Sequence, residues 1–462
     1  MKKYLLIASL FLFNYTIFGQ AGHIMQGVGA VNMSMGGAAT AQPLDINGAM
    51  YWNPAGLSRF SGREVSLSVG AFFSSPELSS SFGPFAGTTL DDRGTSIMPA
   101  LAFVYGDPDS KHTFGFSAFG ISGFGVTFPE DTNYPQDGFG NPNPNYNPNE
   151  GSNPINFPQN AGGFGHIESD YILLQIGLTY AYEITPEFSI GIQPNLDYAS
   201  LELAPNPLAS PDFPPPMGTG KGYPTANKAT AIGYGGQIGV FYDSGDMIKL
   251  GASYKSKQYF SEFDFEQTYL DGTAAPNVKF KMNYPAIYSV GLGLSGKKLD
   301  FALDARYVDY EGTEGFQESG WAIAQSGPAQ GFPTGAVSGF GWESMVILST
   351  GLQYKIMDNL PIRVGYTHST NPIKDELAFF STPATAVIEN AMQIGLGYTF
   401  GDKFKIDAVY HYGSSDRGSK GQLLSPAAIT ASNPLGAIPN SSVSYNMKTS
   451  LVQLTMSYDF AK

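Results

Sequence analysis

The chain has 462 residues and no cysteine, so we expect neither disulfide bonds nor an acylated lipoprotein anchor. Its 39 acidic and 25 basic side chains leave a formal charge of −14 at pH 7, which argues against a nucleic-acid partner. Charged residues make up only 14% of the chain, against roughly 25% in ordinary soluble domains, and this deficit is typical of a protein with a large lipid-facing surface.

Residues 1–19 have the features of a secretory signal peptide. Two lysines precede a short apolar run over residues 4–13, and the small Gly19 stands before the polar Gln20. We therefore predict cleavage after Gly19. The alternative, an uncleaved membrane anchor, is disfavoured because the run is shorter than the roughly 20 residues that a spanning helix needs.

Residues 20–60 differ in composition from the rest of the chain. They are rich in glycine and alanine and include the polar residues Asp45, Asn47 and Asn53. The segment is too polar and irregular for lipid, yet its composition is too varied for a floppy tail.

Residues 61–462 repeat one pattern, in which apolar residues occupy every second position of a stretch that ends in a tight turn or a long polar loop. Residues 298–307 show it most cleanly, with Leu299, Phe301, Leu303, Ala305 and Tyr307 on one face and Lys298, Asp300, Asp304 and Arg306 on the other. Because strand side chains alternate with period two, one face suits an apolar medium and the other suits water. We predict fourteen strands, near residues 63–74, 95–106, 112–127, 166–182, 187–203, 227–242, 247–265, 277–295, 298–311, 342–357, 360–371, 386–400, 403–414 and 445–461.

Tight turns and long loops alternate strictly between these strands. In a soluble sandwich the apolar faces would meet in a shared core, whereas this alternation is typical of a closed barrel in an outer membrane. The sequence therefore predicts an all-β fold, a transmembrane antiparallel up-and-down β-barrel of about 14 strands in the cell outer membrane. The tight turns are expected to face the periplasm. The long loops, including the Asn/Pro-rich residues 131–160, are expected to face outside.

The third predicted strand breaks its own alternation. Apolar positions are even-numbered as far as Ala118 and then odd-numbered at Phe119 and Ile121, among three glycines, Gly120, Gly123 and Gly125. Such a slip marks a β-bulge, and strand pairing weakened by glycine is where the wall of a barrel could open. These glycines are the candidate lateral gate. The alternative is an ordinary tapering of the strand into its loop.

The sequence shows no constellation of residues for catalysis or metal binding. Its five histidines have no metal-ligand spacing, and there is neither a nucleophile elbow nor a phosphate-binding glycine loop. We therefore predict that the protein is not an enzyme and has no catalytic residue, metal site or cofactor. Outer-membrane proteases and phospholipases, which carry catalytic groups on barrels, are the minor alternative.

The segment before the first strand resembles the plug of the FadL-type family of outer-membrane transporters for long-chain fatty acids and aromatic hydrocarbons. The shared features are glycine- and alanine-rich stretches at residues 27–30 and 36–41, then Asp45 and the motif formed by Asn53, Pro54 and Ala55. Later parts of the chain agree with the family in order, at residues 114–119, 250–256 and 283–285.

This resemblance implies a barrel closed from the periplasmic side by an N-terminal plug (hatch), here residues 20–60. It also implies a hydrophobic small-molecule ligand captured among the outer loops and released sideways into outer-membrane lipid near the third strand, by a monomer. Physical reasoning supports a plug, because a barrel this wide cannot fill its lumen with its own side chains. A lateral route also keeps methylene groups out of water, at roughly 0.8 kcal/mol each.

One departure from the family concerns the head group of the cargo. In the best-known members, basic residues near strands five and nine hold a fatty-acid carboxylate, but residues 197–201 and 311–317 of this chain contain no cation. By strand parity, Arg306, Lys255 and Lys257 point into the lumen and are the candidates for head-group binding. The alternative is that these cations only balance neighbouring carboxylates.

The predicted function is therefore substrate-gated uptake of hydrophobic compounds. A general diffusion porin and a surface-exposed adhesin or antigen are the alternatives. Fatty acids, alkanes, monoaromatics and quinone-like compounds all suit an apolar tunnel.

Overall fold

Fourteen antiparallel strands pair in chain order, and the last pairs with the first to close a barrel. The computed structural model describes residues 22–215, 218–317, 320–327 and 330–460, so the predicted signal peptide lies outside the described residues. The wall strands are β1 (Gly62–Phe82), β2 (Ser96–Gly106), β3 (His112–Phe128), β4 (Ile167–Thr185), β5 (Phe188–Ala204), β6 (Thr225–Asp243), β7 (Ile248–Lys255), β8 (Ala286–Ser295), β9 (Leu299–Asp309), β10 (Met345–Met357), β11 (Leu360–Ser369), β12 (Asn390–Phe400), β13 (Phe404–Ser414) and β14 (Ser442–Asp459). The predicted barrel is confirmed.

The remaining elements are short. Additional strands are Phe85–Leu90, Tyr259–Phe260, Phe263–Thr268, Ala274–Phe280, Trp321–Ile323, Pro333–Val337 and Ser419–Gly421. The α-helices are α1 (Gly29–Ser34) and α2 (Ile46–Trp52), and 3-10 helices span Pro54–Arg59, Pro154–Asn156, Gln159–Ala161, Asp375–Ser381 and Pro426–Ala428. No helix in the described ranges is long and apolar enough to cross a bilayer.

Side chains alternate between the two faces of the wall as the sequence predicts. On β9, Leu303 and Tyr307 are each 42% exposed on the outer surface, whereas Asp304 and Arg306 are almost fully buried in the lumen. The other strands show the same contrast, so an apolar belt surrounds a polar interior.

Two strands differ from their predicted limits. β1 was predicted to end near residue 74 but continues to Phe82, because it pairs with β14 as far as Ser81 opposite Ser442. Its exposed side chains beyond Phe73 are polar, so the strand leaves the apolar belt there and the alternation that marks it disappears. β7 ends at Lys255, and its predicted continuation to residue 265 is interrupted into shorter strands.

Residues 22–60 lie inside the barrel, and nearly all of them are buried. The Asp45 side chain caps α2 by accepting a 3.1 Å hydrogen bond from the Gly48 amide. Hydrogen bonds join the segment to different parts of the wall. The Ala30 amide donates to Thr455 on β14 (2.7 Å), and the Ala39 amide donates to Asp304 on β9 (2.9 Å).

Candidate functional site

β3 contains a bulge at Ile121. Gly120 lies opposite Leu174 of β4 and Ser122 lies opposite Leu173, so Ile121 is one residue more than β4 can match. The bulge predicted from the change in alternation is confirmed.

The wall opens beside this bulge. Pairing between β2 and β3 stops at Ala100 opposite Phe119, although β2 continues to Ser96 and β3 continues to Phe128. The gap closes again where the Asp92 amide donates to the Thr127 carbonyl at 2.8 Å. We call the unpaired region between residues 93–99 and 120–126 the wall opening.

A cavity of about 450 Å³, the wall cavity, occupies this opening. Its lining includes Ile97 and Ile172, which are exposed on the outer surface, and Met25 and Tyr171, which are buried inside. The cavity therefore extends through the wall. Its lining also includes all three glycines that the sequence singled out, Gly120, Gly123 and Gly125.

The N-terminal segment contacts the inner edge of the opening directly. The His23 carbonyl accepts hydrogen bonds from the Gly123 amide (3.2 Å) and the Ser122 hydroxyl (2.9 Å). The Met25 amide donates to the Ile121 carbonyl at 3.0 Å. A movement of residues 23–25 would therefore change the bulge itself.

His23 also organises an aromatic cluster behind the opening. Its Nδ1 lies 2.7 Å from the Tyr310 hydroxyl, and its ring stacks on Phe316 at 5.0 Å between centroids. Tyr171 and Phe124, which line the wall cavity, also contact the His23 ring. Burial lowers the pKa of His23 to about 3, so the imidazole is neutral and adds no charge to this apolar region.

A second cavity of about 580 Å³, the outer cavity, lies among the long loops. Its apolar lining includes Phe164, Tyr223, Trp321 and Phe379. The same four residues line a smaller cavity that also touches Pro383. The apolar surface of the loops therefore continues inward toward the barrel.

The loop between β11 and β12, residues 372–389, folds into the barrel instead of facing outside as predicted, and we call it the inward loop. Its residues 377–388 are all buried. Trp342 donates to the Ser381 hydroxyl at 3.0 Å, and the Ser169 hydroxyl donates to the Pro383 carbonyl. Because Pro383 lines the smaller cavity and Thr385 lines the wall cavity, the inward loop stands between the outer cavity and the wall opening.

The plug motif lies where the N-terminal segment meets β6. Asn53 accepts a 3.1 Å hydrogen bond from the Ala55 amide and donates to the carbonyls of Thr40 (2.8 Å) and Val240 (3.0 Å). Pro54 begins the 3-10 helix that follows. A Cβ on Gly239 of β6 would lie 2.0 Å from the Asn53 side-chain oxygen, so the wall admits the motif because it has no side chain there.

The three candidate head-group cations are in the lumen, but each already has a partner. The Arg306 guanidinium binds Asp304 at 2.5 Å and lies 3.6 Å from the centroid of the Trp52 ring. The Lys255 ammonium donates to Gln175 at 3.2 Å and lies 4.5 Å from the centroid of the Tyr51 ring, and Lys257 donates to the Gly312 carbonyl. Their head-group role stays a prediction. Their contacts fit the alternative, in which these cations hold the interior together.

The end of the barrel with the tight turns contains a polar cavity of about 560 Å³ below the N-terminal segment. Ion pairs line it, between Arg363 and Asp407 (2.7 Å), Lys405 and Glu64 (3.3 Å), and Lys355 and Asp300 (3.7 Å). Apolar molecules gain nothing from such a surface. Among the described residues, no group of three or more His, Asp or Glu side chains is placed to hold a metal ion.

Residues 156–460 match the family described as outer membrane protein transport protein (OMPP1/FadL/TodX). The fold is similar to the P. putida toluene transporter TodX, with a TM-score of 0.65 and 18% identity, covering 95% of this chain and 99% of that chain. It is also similar to the Ralstonia pickettii toluene transporter TbuX (TM-score 0.61, 17% identity, 94% and 99% covered) and to a Pseudomonas aeruginosa FadL homologue (0.65, 15%, 95% and 100%). At such identities these structures show a shared fold alone. No curated protein sequence matches the chain.

Proposed function

Because the chain belongs to the OMPP1/FadL/TodX family of outer membrane transport proteins, we propose that it carries hydrophobic compounds from outside the cell through the wall opening into the outer-membrane bilayer. The observation that carries this proposal is the wall cavity, whose lining includes both lumen-facing and lipid-facing residues. Such a passage keeps cargo out of water, which saves roughly 0.8 kcal/mol for each methylene group.

Entry begins in the outer cavity. Its aromatic lining offers apolar cargo a surface outside the membrane, and Trp321 and Phe379 continue that surface inward. Cargo then passes the inward loop, which separates the outer cavity from the wall cavity. In this mechanism the inward loop yields when cargo arrives.

The N-terminal segment acts as the plug. It fills the lumen at the level of Arg306 and Asp304, and the ion pairs below it make the straight route unfavourable for apolar cargo. Because residues 23–25 bind the bulge of β3, a shift of the plug on cargo binding would alter the wall opening. Cargo thereby gates its own exit.

The cargo we favour is uncharged. Arg306 and Lys255 are almost fully buried and engaged with the plug or the wall, and His23 is neutral. A charged head group would therefore find no free counter-charge among these residues. Two structures with a similar fold belong to proteins named as toluene transporters, and aromatic hydrocarbons are compatible with the ring-lined cavities of this chain.

Uptake and conductance measurements together test the proposal. Cells that lack their own transporter and make this protein should take up radiolabelled toluene or an n-alkane faster than cells without it. Planar bilayers containing the protein should show little steady ion conductance. Uptake equal to that of the control cells would overturn the proposal, and a steadily open, ion-conducting pore would indicate a general diffusion porin.

A further inference from the structure

Arg93 bridges the loop-side edge of the wall opening. It lies in the connection that leads into β2, and its guanidinium crosses β3 to reach β4. One nitrogen donates to the Ser169 carbonyl at 2.8 Å, and another binds the Asp170 carboxylate at 2.6 Å. The contact thus joins segments on both sides of β3.

β3 admits this crossing because it has no side chain at Gly125. A Cβ at that position would lie 1.3 Å from a guanidinium nitrogen of Arg93, so any other residue would displace the arginine. Gly125 therefore has a specific task in this wall, besides weakening the pairing of β3.

Two neighbouring contacts strengthen the bridge. Lys228 of β6 binds the second oxygen of Asp170 at 2.7 Å. The Asp91 carboxylate accepts a 2.6 Å hydrogen bond from the Thr127 amide of β3. The Arg93 and Asp170 side chains are 18% and 21% exposed, so water only partly screens their attraction.

The bridge lies where the opening needs a fixed edge. Residues 96–99 pair with β1 on one side and have no strand partner on the other, so β1 alone does not define how far they stand from β3. Arg93, Gly125 and Asp170 all line the wall cavity, whose other residues are mostly apolar. A paired charge at the rim of an apolar passage offers hydrophobic cargo no binding energy, so its contribution is geometric.

We propose that Arg93 is a specificity-determining residue, which holds the edge of the wall opening through Gly125 and Asp170 and thereby limits the cross-section of the cargo that leaves. The proposal rests on lateral exit as the proposed function. It predicts that releasing Arg93 favours bulky cargo relative to slender cargo, whereas a merely structural role would lower both rates in proportion.

The experiment compares Arg93→Ala and Gly125→Ala, which release the bridge in independent ways, with the conservative Arg93→Lys. Lys279→Ala, which removes exposed ion pairs with Glu262 and Asp264 elsewhere, is the matched control. The first readout is the ratio of uptake rates for a polycyclic hydrocarbon and an n-alkane. The ratio should rise several-fold in the two releasing variants, return toward wild type in Arg93→Lys and stay at wild type in Lys279→Ala.

The second readout does not depend on transport. Spin labels at Ile97→Cys and Ile172→Cys report the distance across the opening, and the chain has no other cysteine to react. The distance distribution should broaden in Arg93→Ala and Gly125→Ala. An unchanged distribution, or an unchanged uptake ratio in a transporting protein, would overturn the proposal. If the wild type accelerates neither cargo, the proposed function fails, while the spin-label distances still test the bridge.

Discussion

Arg306 and Asp304 form an ion pair of 2.5 Å inside the barrel, two residues apart on β9, and both bind the plug. Arg306 donates to the Gly37 carbonyl at 2.8 Å, and Asp304 accepts from the amides of Ala39 and Thr40 at 2.9 Å each. The cation that the sequence offered as a head-group ligand is thus part of the attachment of the plug.

Arg306→Ala should loosen the plug. The substitution leaves Asp304 buried without its partner, which costs roughly 3–5 kcal/mol, whereas removing both charges together costs less. We expect a lower unfolding temperature and a higher steady conductance in planar bilayers, and partial recovery of both in a double variant, Arg306→Met with Asp304→Asn.

The same variant tests the head-group hypothesis. If Arg306 anchors a carboxylate, Arg306→Ala should weaken the uptake and affinity of a fatty acid and leave neutral cargo and conductance as they were. Unchanged uptake and affinity of the acyl chain would remove the hypothesis.

Tying the plug to the bulge should stop transport. Ile24 and Ser122 form an antiparallel bridge, and such partners have Cα separations of about 4.5–5.5 Å, within the range of a disulfide. The pair Ile24→Cys and Ser122→Cys should therefore lose uptake when oxidised and regain it on reduction, with each single variant as a control. Undiminished transport in the oxidised form would show that the plug need not move.

Deleting Ile121 should close the wall. Without this extra residue, Ser122 would follow Gly120 directly and the inward and outward positions of β3 would alternate without a break. We expect uptake to fall to the level of cells without the protein, while binding of cargo to the outer cavity persists. Ile121→Val, which keeps the bulge, is the control. Normal uptake after the deletion would exclude the opening as the exit.

Trp321→Ala should weaken capture at the outer cavity. The Trp321 ring lies 5.1 Å from Phe380 and 6.1 Å from Phe379 between centroids, and its indole donates to the Leu435 carbonyl at 2.9 Å. Removing the ring should raise the half-saturating cargo concentration about tenfold, or ~1.4 kcal/mol, with little change in the maximal rate. Trp321→Phe should retain most of the affinity. A fall in the maximal rate alone would assign Trp321 to a later step.

The barrel was readable from the sequence because its signals are local. Alternation and turn residues act within a few positions, and the change of alternation at Phe119 and Ile121 marked the bulge that the structure contains. The extension of β1 to Phe82 was missed, because above the apolar belt both faces are polar and no alternation remains.

Contacts between distant segments could not be read in this way. Alternation correctly placed Arg306 in the lumen but could not reveal Gly37 or Trp52 as its partners, which lie more than 250 residues away. The inward loop was taken for an outer loop up to residue 385 and for a strand from residue 386, whereas β12 begins at Asn390. Its apolar residues 377–380 and 386–388 were the available indication that it is buried.

Photo-crosslinking of cargo in native membranes tests lateral exit most directly. A hydrocarbon with a small photoreactive group, activated during uptake and mapped by mass spectrometry, should label the outer cavity and then the rim of the wall opening, at Ile97, Met98 and residues 171–174. Labelling of the ion-paired cavity at the turn end, around Gln42, Leu44 and Asp300, without labelling of the rim would contradict it.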